Sequence, residues 1–184
     1  MYFVFPLWVA AGFADWACHK RTHIAETAGL KESLLHVLMI VEAGAAILGA
    51  LFLEINALIL ILLAGIFVVH QLTVYWDLTY AGRHRDISPF EQQVHSFQEM
   101  MPLVALILVV LAYWDQAVGA LGPFGESADF SVRLREPALP ADYLAVLFVC
   151  VVLFVIIPYG EEVWQGVRAA RRPKENALQA PPPT

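Results

Sequence analysis

The chain has 184 residues, 59% of them hydrophobic and 15% charged, with a mean hydropathy of +0.64. That balance excludes an ordinary soluble domain and points to an integral membrane protein. The net charge of −6 gives no basis for a nucleic-acid partner, and Cys18 and Cys150 lie far apart in apolar segments, making neither a disulfide framework nor a cysteine zinc motif.

Five apolar segments follow in order, at about 2–23, 34–53, 57–80, 90–114 and 141–160. The first has no basic n-region and no A-x-A-like cleavage site, so it reads as a retained helix rather than a signal peptide. Glu54, Ile55 and Asn56 make a short turn between the second and third, and Pro89 is a good first-turn residue for the fourth. At 1.5 Å per residue each segment can cross about 30 Å of hydrocarbon. The expected fold is an all-α integral membrane protein of about five transmembrane helices. Spans one to four form an antiparallel bundle around a polar metal site, and span five is peripheral. Residues 1–167 make one transmembrane domain, and residues 168–184, charged and then rich in Pro and Ala, make a disordered cytoplasmic tail.

Positive charge sets the orientation. Lys20, Arg21 and Lys31 lie between spans one and two, Arg83 and Arg85 between three and four, and Arg168, Arg171, Arg172 and Lys174 after span five. These three groups fall on one side. The expectation is an inner or plasma membrane protein with its N-terminus outside and its C-terminus in the cytoplasm.

All six histidines precede residue 96, and on this topology all lie in the cytoplasmic half. Acids accompany them. Asp15, His19 and His23 form D-x3-H-x3-H on span one. Glu32 and His36 enter span two, with Glu42 deeper. His70 and Asp77 are seven apart on span three. Glu91, His95 and Glu99 open span four. Four residues advance a helix by about 400°, so such side chains share a face, and side chains at matched depth in an antiparallel bundle converge. Ionisable groups inside a membrane are costly and mark function. Imidazole and carboxylate together suit iron, manganese or zinc. The candidates are too many for one four-coordinate ion, so two transition metals are expected, iron first and zinc second. Their candidate ligands and supports are Asp15, His19, His23, Glu32, His36, Glu42, His70, Asp77, Glu91, His95 and Glu99. Arg83 and Arg85 are candidates for a rim that meets a substrate headgroup, and His84 reads as interfacial.

The H-x3-H of His19 and His23 resembles one box of the integral-membrane di-iron hydroxylases and desaturases, although the H-x2-H-H boxes of that family are missing. The mixture of Glu and His on four helices is similar in kind to the ferritin-like di-iron proteins, without their E-x2-H spacing. The expected function is a non-haem di-iron oxygenase or oxidase, of hydroxylase or desaturase type. It acts from the cytoplasmic side on an apolar or lipid substrate drawn from the bilayer. No nucleotide cofactor motif is present, so electrons would come from a separate cytoplasmic donor. A zinc-dependent membrane lipid hydrolase is the alternative, followed by a b-type haem protein and a metal or proton transporter.

Overall fold

The computed structural model describes residues 4–122 and 128–179, with side chains as far as 171. Helix is the only regular element among them. In chain order these are α1 (Val4–Arg21), α2 (Ile24–Thr27), α3 (Leu30–Phe52), α4 (Ala57–Ala81), α5 (Pro89–Ala112), α6 (Trp114–Leu121), α7 (Ala141–Val151) and α8 (Ile157–Gln179). A π-helical stretch, Val152–Ile156, joins α7 to α8 without a break.

Four helices are long and apolar enough to cross a membrane: Leu30–Phe52, Ala57–Ala81, Pro89–Ala112 and the continuous rod Ala141–Arg171. The fifth expected span, α1, is not among them, because Asp15, Lys20 and Arg21 fall within its 18 residues. It nevertheless packs along α5 inside the same bundle. Large apolar side chains such as Leu62, Val68, Leu72, Val149 and Leu153 point outward, as lipid-facing residues do. Against hydrocarbon the outward Leu gains as much as the inward one, so close packing decides which faces meet. A buried apolar cluster joins Ile55, Ile59, Leu60 and Leu63 of the α4 entrance to Val109 of α5.

Local chemistry explains the breaks. Thr22 turns its hydroxyl back onto the carbonyls of Cys18 and His19, at 3.2 and 3.3 Å, and His23 then takes a left-handed φ of 51° that ends α1. Ser88 caps α5 by accepting the Glu91 N–H at 3.2 Å, with Pro89 behind it. Asn56 caps α4 by accepting from the Ile59 N–H and also donates to the Ser131 carbonyl at 2.7 Å. That second bond is part of a lacing. Glu54 N–H donates to Arg133 O and Arg135 N–H to Phe52 O, at 2.9 and 2.8 Å, so the connection before α7 is held over the α3–α4 turn. Exposed ion pairs of Arg133 with Glu54 and Asp129 tighten it, and the backbone N–H of Ser131 is the first of the groups holding the Asp129 carboxyl below its usual range.

The last rod departs from expectation in two ways. It is not peripheral: α8 packs against α2 and α3, and Gly166 brings its backbone close to Leu30, where a Cβ would sit 3.1 Å from the Leu30 Cα. It also runs on as helix to Gln179, through the start of the stretch expected to be irregular from residue 168, while residues 180–184 lie outside the described chain.

Candidate metal centre

Asp15 and His19 are one turn apart on α1, Glu91 and His95 one turn apart on α5, and these two helices pack together. Four atoms from them meet in a dry pocket. His19 Nε2 is 3.3 Å from Asp15 Oδ1 and 3.7 Å from Glu91 Oε1; His95 Nε2 is 2.8 Å from Asp15 Oδ1 and 4.0 Å from Glu91 Oε1. The edges of a tetrahedron around a zinc-sized ion with N and O ligands are about 3.3–3.5 Å, so these four atoms scatter around that length. Asp15 Oδ1, His19 Nε2 and Glu91 Oε1 are buried and make no well-aligned hydrogen bond, although His95 Nε2 stands 2.8 Å from Asp15 Oδ1 and Arg85 2.6 Å from Glu91 Oε1. Buried imidazole and carboxylate atoms crowded in this way need protons or a cation among them.

A second group lies beside the first. His36 of α3 places Nε2 3.5 Å from Asp77 Oδ2 of α4, and Glu32, one turn before His36, completes the set. Asp77 Oδ1 is likewise buried without a hydrogen-bond partner.

One residue ties the groups together. Glu162 of α8 takes His19 Nδ1 on Oε2 at 3.0 Å and His36 Nδ1 on Oε1 at 2.8 Å. A carboxylate accepts, so each imidazole donates from Nδ1 and turns Nε2 toward its own acids. Such carboxylate support is how ligating histidines are commonly oriented. The two rings stack with centroids 4.5 Å apart and planes within 6°. Tyr159, one turn before Glu162, donates its hydroxyl to Asp15 Oδ2 at 3.0 Å.

Arg85, from the α4–α5 loop, reaches between the groups. It donates to Glu32 Oε1 at 2.7 Å and pairs with Glu91 Oε1 at 2.6 Å, with its side chain only 3% exposed. Burial works against its charge, but Glu32 and Glu91 outweigh burial and hold the guanidinium above its usual range. The expectation of a rim role for Arg85 is therefore corrected: it lies inside, bound to both groups. Arg83 stays exposed in the loop.

The remaining candidates fall elsewhere. His23 is exposed beyond the end of α1, so the H-x3-H pair does not face one site and the resemblance it carried goes with it. Glu99 is exposed because two steps of four residues rotate it about 80° from Glu91. His70 and Glu42 form a separate pair at 3.1 Å, with Thr73 donating to the other Glu42 oxygen at 2.7 Å. His70 shares a face with Asp77 but sits two turns away, about 10 Å along the axis. His84 is exposed and bonds the Tyr80 carbonyl.

Sequence reasoning missed Glu162 and Tyr159. Tyr159 lies at the end of the apolar run of the last span and Glu162 just past it. The available sign was the spacing Tyr159–Glu162, which puts a phenol and a carboxylate on one face.

Asp15, Glu32, Asp77, Glu91 and Glu162 are five buried carboxylates beside one guanidinium and the imidazoles of His19, His36 and His95. Acids in such excess call for positive charge, from the imidazoles or from bound cations. Comparison with protein-family models, with curated proteins and with solved structures finds no match to this chain.

Proposed function

We propose that the chain is a five-span membrane metalloenzyme, α1 serving as the fifth span, that holds two transition-metal ions and oxidises an apolar or lipid substrate with O2. One observation carries the metal reading. Five carboxylates and three imidazoles gather around one guanidinium, and the Nε2 atoms of His19, His36 and His95 each stand within 3.5 Å of an acid oxygen. Acids buried in such excess cost several kcal/mol each unless positive charge compensates them. Divalent cations turn that cost into coordination.

In this reading Asp15, His19, Glu91 and His95 hold one ion, and His36, Asp77 and Glu32 hold the other. Glu162 orients His19 and His36 from behind. Arg85 shares Glu32 and Glu91 with the ions and offsets their charge when the ions are not bound. Iron at such positions supplies oxidation chemistry that side chains alone do not. In a hydroxylation, one oxygen atom enters the substrate C–H bond and the other leaves as water, using two electrons and two protons. The chain carries no motif for an electron-carrying cofactor, so the electrons come from a separate cytoplasmic donor. Tyr159, hydrogen-bonded to Asp15, fixes that carboxylate and keeps water from it. A large apolar cavity two helical turns further along the bundle supports an apolar substrate.

The tetrahedral spacing around Asp15, His19, Glu91 and His95 favours zinc as the second reading, with hydrolysis of a lipid ester or amide as the chemistry. For a b-type haem held by His36 with His70 or His95 there is little support, since His36 Nδ1 is taken by Glu162 with Nε2 facing Asp77, and His70 Nδ1 is taken by Glu42. A through-membrane transporter would need polar groups beyond the apolar cavity walls.

Elemental analysis with an absorption spectrum decides. Close to two iron ions per chain and no Soret band is the expected result; two zinc ions would move the function to hydrolysis. A chain that binds no transition metal at micromolar concentrations would end both readings.

A further inference from the structure

The bundle holds an apolar cavity of about 550 Å3 on the side away from the acid and histidine groups. That is within the range of pockets that take a drug-sized or lipid-sized molecule. Its walls are aliphatic and aromatic, with Ile47 of α3, Ile66 of α4 and Leu106 of α5 among them. Polar side chains stand at its two ends. At the inner end is His70, whose Nδ1 is taken by Glu42. At the outer end are Arg135 and Tyr113.

Arg135 is the informative residue. Its backbone N–H is tied to Phe52 O at 2.8 Å and its NH1 to Ala50 O at 3.2 Å, so the side chain is steered back over the mouth of the cavity. It is half-buried and, among the described residues, pairs with no carboxylate. Glu54 and Asp129 both pair with Arg133, two residues earlier, and Glu136, the next residue, is exposed and forms no ion pair with Arg135 among the described residues. A guanidinium held by backbone at the opening of an apolar chamber is complementary to an anion that carries an apolar chain.

We infer that the cavity binds a single-chain anionic amphiphile, with its carboxylate or phosphate head on Arg135 and its chain running inward to His70. Binding itself does not depend on the metal reading; only the chemical consequence rests on the proposed function. The consequence is a direction. Asp77 lies seven residues beyond His70, about 10 Å along α4, so the far end of the chain, not the head, faces the acid and histidine groups. The substrate class becomes an anionic lipid presented tail-first. The head then belongs on the opposite side of the bundle from Arg83 and Arg85.

The test uses the full-length protein in nanodiscs of zwitterionic lipid, with tritiated hexadecanoate as the probe. Hexadecyl phosphate, hexadecanol and hexadecyltrimethylammonium serve as competitors. Saturable binding near one per chain is expected, with the alcohol and the ammonium competing at least tenfold less well than the two anions. Which anion competes better assigns the head as carboxylate or phosphate. Arg135→Gln should weaken binding at least tenfold and Arg135→Lys much less. Ile47→Trp, which fills the cavity, should abolish binding while leaving helix content unchanged. Equal binding by hexadecanol and hexadecanoate, or full binding by Arg135→Gln, would overturn the proposal. Metal content is read on the same samples. Binding without metal removes the proposed oxidation and leaves this site standing, whereas metal without binding removes this site alone.

Discussion

His19 and His36 sit on different helices, stack face to face at 4.5 Å, and hand their Nδ1 atoms to the two oxygens of a single carboxylate, Glu162. The arrangement aims the two Nε2 atoms at two different acid groups while one side chain governs both. It also makes the last helix a part of the centre.

Glu162 should therefore affect both ions at once. Losing a support of this kind typically lowers metal affinity by about 10–100-fold. Glu162→Ala should weaken both binding steps in a titration against a chromophoric chelator. Glu161→Ala is the control, since Glu161 faces outward and pairs with Lys20 at 3.0 Å. Similar losses from the two variants would mean that the effect is not orientation of the imidazoles.

Residues that spacing groups together are separated by position. His95→Ala should remove at least one metal ion per chain, because His95 Nε2 stands in the first group. Glu99→Ala and His23→Ala should leave the metal count unchanged, both being exposed. Metal loss from Glu99→Ala in a well-folded protein would contradict the geometry of α5.

If ions share Glu32 and Glu91, Arg85 should stabilise the metal-free chain more than the loaded one. Removing one partner of a buried ion pair costs about 3–5 kcal/mol. Arg85→Met should lower the unfolding temperature of the chelated protein sharply, and metal should restore more of the loss than it adds to the parent. An unchanged unfolding temperature without metal would show that the guanidinium does not stabilise the metal-free chain.

Orientation is open to a direct readout. The basic residues around 20–31, 83–85 and 168–174 predict a cytoplasmic C-terminus. A reporter fused to the C-terminus should read cytoplasmic, and one placed in the connection before Ala141 should read external. The reverse pattern would put the electron donor on the wrong side.

Much of the centre could be read from the chain because acid and imidazole recur four residues apart inside apolar runs. Asp15 with His19, Glu32 with His36 and Glu91 with His95 each need only one helical turn to meet. The same rule overreaches when extended: a second step of four drifts far enough to put Glu99 outside, and His23 falls beyond a helix end created by Thr22 and a left-handed residue. Depth was harder still. His70 shares the face of Asp77 but not its level, and Glu42, six residues from His36, points about 120° away. The role of α8 was hidden because Tyr159 and Glu162 follow Pro158 at an apparent membrane boundary, where a carboxylate carries no mark of its eventual partners.

The π-helical stretch Val152–Ile156 gives that last helix its rotational phase. Such a stretch absorbs one residue more than an α-helical turn, and one residue is about 100° of rotation. With regular winding from Ala141, Tyr159 and Glu162 would face about 100° away from His19, His36 and Asp15. The span thus works like a key whose bit is cut by a single surplus residue. Deleting one residue within 152–156 removes the surplus, so a regular helix keeps the same phase, whereas one further residue inserted there turns the teeth about 100° out of the lock. Normal membrane insertion of both variants, with metal kept after the deletion and lost after the insertion, is the expected outcome; metal retained by the insertion would place the phase elsewhere.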